Sequence, residues 1–426
     1  MTPLESEFVD EIMPDKPPVH TEPPESRDKF LPWHRVRKEY IRRFQWGKLT
    51  ARVVKRSWLR QLQLDEGEWS LSDEADEEKI SQLPSKTVPD RALRCLVIPG
   101  EDLLDVRALW RDIQPLNCSI KYLGFNESQG SDQKGTRIHV SNNAVVSLPN
   151  IVKNSLVVRD RFEAIAKENS VALRYLKDYG PYHIVNLDLC GSIFPNTGKD
   201  VREYYDALLR LLAYQFENQK SEWLLFITTM VEPAAVKAEG LQQLCGPTRE
   251  NFEKHKDFAE RIANLLPPET FQDTTASVNL TVLDENQMVQ LFGVALGKWL
   301  LKLCRDAQPQ WTIAMRRSYR YFVNKDKGAV LLSLAFELRP NISPPVDTTG
   351  ITTLQLQSRT YPDEGECALK LAESVAGIRD VDAELNANPA LKTELRDAQA
   401  MLLEAAGYDR NAYVRWVDGG EIIREG

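Results

Sequence analysis

The stretch Pro181–Pro195, "PYHIVNLDLCGSIFP", decides how the chain is read. A short apolar strand, broken only by Asn186, ends in Asp188, and a Gly-Ser turn follows at once. A carboxylate at the tip of a buried strand has two explanations. It serves a site at the carboxyl end of a parallel sheet, or it ends the strand and caps the next turn. The neighbouring segments point to a parallel sheet. Upstream, "RCLVIPG" reads as a strand running into a Pro-Gly turn, with "LLDVRALWRDI" as the helix after it. "SIKYLGFNES" is a second strand and "NSLVVRD" a third, followed by a helix over "RFEAIAKENSVALRYLKDY". Downstream of Asp188, Val201, Tyr204, Tyr205, Leu208, Leu209, Leu212 and Phe216 recur at helical spacing, and "EWLLFITT" is the next strand. Strands that alternate with helices build parallel βαβ units and a sheet covered on both faces.

Residues from about 240 to 308 are mostly helical, ending in the long helix "ENQMVQLFGVALGKWLLKLCRDA". "TIAMRRSYRYFV" and "GAVLLSLAFEL", joined by "NKDK", read as an antiparallel hairpin. After the Pro-rich "PNISPPVDTTG" the chain turns helical again. Asn388-Pro389 is a helix start, Leu391, Leu395, Ala398 and Leu402 its apolar stripe, and Gly407 its stop.

The flanks carry the charge pattern. Residues 1–28 are acidic and Pro-rich and read as disordered; they lack the basic and apolar segments of a signal peptide. From Arg35 to Arg60 ten Lys or Arg face a single acid, Glu39, with Tyr40, Phe44, Trp46 and Trp58 interleaved. From Asp65 to Glu78 the sign inverts to eight acids with no Lys or Arg. Arg35, Arg37, Lys38, Arg42, Arg43, Lys48, Arg52, Lys55 and Arg56 are therefore candidate nucleic-acid contacts: each neutralised phosphate releases counterions, and the aromatics stack on unpaired bases. The other reading docks the arm, through its large aromatics, on the α/β core or on the acidic linker. That linker would mask the arm until nucleic acid displaces it.

The net charge of −8 excludes a uniformly basic coat, and no apolar run approaches the roughly 20 residues that cross a bilayer, so a cytoplasmic location and no membrane partner are expected. The six cysteines form no CxxC pair and the five histidines no HxH or HExxH pattern, so no metal site is expected. The expected organisation is an acidic tail (1–28), a basic helical arm with acidic linker (29–88), an α/β domain (89–340), and a linker with C-terminal helices (341–426) that offer a docking surface to a protein partner.

A doubly wound, mostly parallel sheet that finishes with an antiparallel hairpin resembles the Rossmann-like fold of class I S-adenosylmethionine-dependent methyltransferases, over roughly residues 90–340. The resemblance rests on element order and three strand tips. It implies that Gly100, beside Glu101, shapes the cofactor turn, although the family's GxGxG is reduced here to one glycine. It implies that Glu127 or Asn126 holds the ribose, that Asp160 lies near the adenine, and that Asp188 orients or deprotonates the substrate. At the Asp188 tip the Pro-Pro-aromatic sequence of nucleic-acid N-methyltransferases is absent, and Cys190 reads as a buried structural residue. "DKFLPWHRVRKEYIRRFQW" also resembles the start of bacterial proteins encoded near mobile-element or phage-defence systems. Two readings follow: a methyltransferase-like binding component of a bacterial multi-protein system, or an active methyltransferase acting on nucleic acid. Both require Gly100, Glu127 and Asp188 to share one rim.

Overall fold

In the computed structural model, residues 29–62, 92–127, 132–189, 191–195, 202–266, 283–323, 330–341 and 361–421 are described. The acidic tail, the acidic linker, Cys190 and the Pro-rich linker lie outside them.

Five parallel strands form the heart of the sheet: β1 (Leu93–Val97), β2 (Ile120–Phe125), β3 (Leu156–Val158), β4 (Ile184–Asp188) and β5 (Trp223–Met230). The hairpin follows as β6 (Trp311–Phe322) and β7 (Val330–Pro340), and the two-residue β8 (Arg379–Asp380) closes the edge. The order is β3-β2-β1-β4-β5-β7-β6-β8, with β7 antiparallel to both β5 and β6. This is the α/β fold read from the sequence. The chain winds outward from β1 to β3, then restarts at β4 on the other side of β1. That reversal opens a crevice between the carboxyl ends of β1 and β4, where open α/β sheets place their ligands.

The two faces of the sheet are covered by different helices. On one lie α5 (Val171–Tyr179), α6 (Glu203–Asn218), α7 (Ala238–Leu244), α8 (Gly246–Lys254), α9 (Lys256–Leu265), α10 (Glu285–Asp306) and α11 (Glu364–Ala376), around Leu96, Val185, Leu187 and Ile227. On the other, α3 (Leu104–Ile113) and α4 (Asp132–Val146) share a core with α1 (Val36–Ile41), α2 (Lys48–Leu62), α12 (Val381–Ala387), α13 (Pro389–Glu404) and α14 (Arg410–Asp418). The "arm" and the C-terminal helices are therefore layers of one core. Phe30, Val36, Ile41, Trp46 and Val53 are buried there beside Cys95, Ile184 and Phe226 of the sheet. The boundaries at 88 and 340 divide the sequence but not the packing.

Local readings differ in two places. The helix expected over 161–179 is two pieces, a 3₁₀ segment Phe162–Ala166 and α5, because Asn169 turns at φ +62° and the Ser170 hydroxyl caps α5 by accepting from Leu173 N–H at 3.0 Å. Helix α4 carries too weak an apolar stripe to announce itself. At the start of α3, Leu103, at φ +51°, occupies the cap position. The Asn388 cap is as expected, its side chain accepting from Leu391 N–H at 3.0 Å, and Gly407 ends α13's turn at φ +86°. Cys95, Cys118, Cys245 and Cys304 are buried, and burial raises the pKa of each thiol.

Candidate functional site

The carboxyl ends of β1, β2 and β4 lie on one edge of the sheet, so Gly100, Glu127 and Asp188 share the expected rim. What surrounds each could not be read from its strand. Ile184, Asn186 and Asp188 alternate toward the face that carries α1. There the Asp188 carboxylate takes an ion pair from the Lys38 ammonium. Lys38 is buried; it also reaches the Tyr321 hydroxyl at 3.4 Å and lies 4.7 Å from the centroid of the Trp46 ring. Burial works against the lysine's charge, but Asp188, Tyr321 and Asp105 together outweigh it and raise its pKa above the ordinary value. Tyr321 is pushed up to about 12 by burial, against the pull of Lys38. The ion pair stands at the wall of a cavity of about 130 Å³ that is also lined by Trp33, Arg35, Arg37, Leu189, Phe322 and Leu331. Asp188 does not cap the following turn.

Helix α1, which carries Lys38, continues into α2 through a π-helical turn, Arg42–Gly47. Such turns widen the helix by one residue and recur at functional sites. Here the turn directs Arg42, Gln45 and Trp46 into the protein. Arg42 pairs with Asp105 at 2.9 Å and donates to Gln399 Oε1 at 3.2 Å. Gln45 donates to the carbonyls of Arg317 and Ser333 at 3.0 and 2.9 Å. Gly47 allows the close approach of α3: a Cβ there would stand 2.0 Å from Asp112 Oδ2.

The other rim residues are held by partners in the same chain. Glu127 pairs with Arg161 at 3.1 Å, and Arg161 also meets Glu163 at 2.8 Å and Glu203 at 3.1 Å. Glu101 pairs with Arg137 at 3.3 Å; the same arginine grips Asp102, which accepts from Tyr408 OH at 2.7 Å. The Asn126 amide donates to Pro99 O at 2.7 Å and so braces the β1 turn. Asp160 accepts from Arg161 N–H at 2.8 Å, a local turn contact. In front of Gly100 and Gly191 there is room: a Cβ built on either would meet nothing within 4 Å.

The basic arm does not present nine cations to solvent. Arg35, Lys38, Arg42 and Arg56 are buried. Arg56 lies between Glu222 and Glu337 at 3.3 and 2.6 Å, and Arg316 and Arg339 complete that cluster at 2.8 and 2.6 Å from Glu337. Arg37 pairs with Asp382 and Glu421, and Arg43 with Glu394. Only Lys48 among the nine is exposed, with Arg37, Arg43, Arg52 and Lys55 partly so. The reason lies in the packing: the acids that neutralise these residues come from α3, β4, β7, the residue before β5, the C-terminal helices and Glu421 just after them, all outside the arm. Of the groups that matter at the rim, Tyr321, Arg161 and Glu421 carried no local signal.

Among the described residues no helix is long and apolar enough to cross a membrane, and no three His, Cys, Asp or Glu are grouped to hold a metal ion. No curated protein matches the chain. A family model described as PP_RS20740-like matches residues 27–418, from the segment that carries Lys38 through the sheet to the end of α14, and the chain belongs to that family.

Proposed function

We propose that the protein is a methyltransferase-like binding component of a bacterial multi-protein system, of the phage-defence kind, and that its strand tips no longer serve a methyl donor. One observation carries this reading: of the four acids that the resemblance assigns to cofactor or substrate, all but Asp160 are committed to a cation of the same chain. Asp188 holds Lys38, Glu127 holds Arg161 and Glu101 holds Arg137. S-adenosylmethionine fits these residues poorly as they stand. Its ribose hydroxyls would have to displace Arg161 from Glu127, and the reduced glycine turn offers little to its carboxylate. A protein partner is favoured over nucleic acid, because four of the nine arm cations are buried in ion pairs and would have to break them to meet phosphates. The C-terminal helices offer the docking surface.

The test is calorimetry and thermal shift with S-adenosylmethionine and S-adenosylhomocysteine. No heat and no shift are expected. Micromolar binding that is lost on Glu127→Ala would replace this reading with the second one, an active methyltransferase acting on nucleic acid. The open space before Gly100 and Gly191, on either side of the crevice, favours that second reading.

A further inference from the structure

We propose that the segment just after α14 is a latch that keeps α1 seated on Asp188, so that two segments far apart in the chain close one pocket. The proposal rests on the reading of this rim given above and adds its regulation.

Glu421 is the latch. Its carboxylate accepts from Val36 N–H at 3.3 Å and from Arg37 Nη1 at 2.9 Å, while its backbone carbonyl accepts from Arg35 Nη2 at 3.3 Å. One residue thus grips three consecutive positions at the start of α1, immediately before Lys38. The grip has a conformational cost. Glu421 sits at φ +57°, where a side chain is disfavoured, and is delivered there by Gly419 and by Gly420 at φ +91°. Its amide donates to Trp416 O at 2.9 Å, so α14 turns back on itself to present the carboxylate. A second point of the same closure is Asp382, which pairs with Arg37 and accepts from Phe322 N–H at 3.0 Å at the pocket wall. Arg37 therefore ties the segment after α14, α12 and the end of β6 together. Lys38 follows Arg37 directly, and its ammonium is what fills the space beside Asp188. Release of Glu421 frees the first turn of α1, lets Lys38 leave, and exposes the Asp188 carboxylate. Whatever opens the latch must compete for Arg35 and Arg37, so it is anionic.

The test uses the full chain, its Glu421→Gln variant and a chain lacking residues 419–426. Each is exposed to a small amine-acylating reagent, and modification is followed by peptide mass spectrometry. Lys38 is the reporter. Lys298, buried on the opposite face of the sheet and paired with Glu364, is the reference for general loosening. The latch predicts that Lys38 reacts about fivefold faster or more in both variants, the gain expected when an ion pair no longer opposes local opening, while Lys298 does not change. An unchanged Lys38 rate overturns the proposal, and so does a rise in which Lys298 keeps pace. Titration of the same variants with S-adenosylmethionine tests the proposed binding role separately: binding gained on unlatching, with the labelling as predicted, keeps the latch and removes that role.

Discussion

Lys38 and Asp188 lie 150 positions apart and meet as a pair with little access to water. Taking both charges out of solvent is costly, and the pair holds only while each partner is present. Lys38→Met is therefore expected to cost about 3 kcal/mol in urea unfolding, since it strands the Asp188 carboxylate. The double variant Lys38→Met, Asp188→Leu should be closer to wild type than either single change; equal losses in all three would mean that the pair is not coupled. His34 gives a second residue-scale prediction. It is fully buried among Phe30, Trp33 and Tyr408, and burial holds its pKa at about 3. The imidazole stays neutral in the folded protein but takes a proton near pH 6.5 once unfolded. Stability from this group is thus complete above that pH and declines as the pH falls toward 3. Between pH 7 and 5 the loss is about 2 kcal/mol, and His34→Gln should remove that part of the slope in denaturant titrations at both pH values.

At the level of elements, α1 and α2 act as a wedge between the sheet and the C-terminal helices. Two contacts set its position. At its far end Arg56 satisfies Glu222 and Glu337, both of which are fully buried. Burial opposes the charge of Glu337, but Arg316, Arg339 and Arg56 prevail and hold its pKa at about 2. Arg56→Met leaves Glu222 with the more distant Arg339, at 3.4 Å, and is expected to cost about 3 kcal/mol in urea unfolding. Loss of nucleic-acid affinity without loss of stability would instead return Arg56 to a surface role. At the π turn, Gly47→Ala drives a methyl group into Asp112, which is paired with Arg111. Gly47→Ala should destabilise the protein in a wild-type background. In an Asp112→Ala background the carboxylate is gone and only the Cβ of residue 112, at 3.0 Å, remains close, so the alanine's helix preference, worth up to about 1 kcal/mol, should outweigh the remaining crowding. A thermal-melt cycle over the four proteins reads the sign change. Gly47 looked like an ordinary interruption in a basic run; its role depends on α3, which the run does not contain.

For the whole molecule, the second core needs segments from both ends of the chain. A protein beginning at residue 92 would lose Phe30, Val36, Ile41, Trp46 and Val53 from that core and leave Cys95, Ile184 and Phe226 without cover. It is expected to bind a hydrophobic dye and to lose cooperative melting, whereas a detachable arm would leave the melt intact. The legibility of the sequence follows the same division. Strand and helix order, the antiparallel hairpin, the Asn388 cap and the placement of Asp188 at a strand tip are all local consequences of side-chain periodicity, turn chemistry and the two-residue alternation of a strand. Those determined the α/β fold and the common rim. The tertiary structure alone decided what the rim and the basic arm do to each other. Ten positive charges in a short window look like a surface for phosphates until the buried carboxylates of β4, β7 and α12 are brought against them. The physical reason is that a charge is satisfied by whatever is nearest in space, and proximity across 150 residues is a property of the packed sheet and its two helical layers, not of any stretch of the chain.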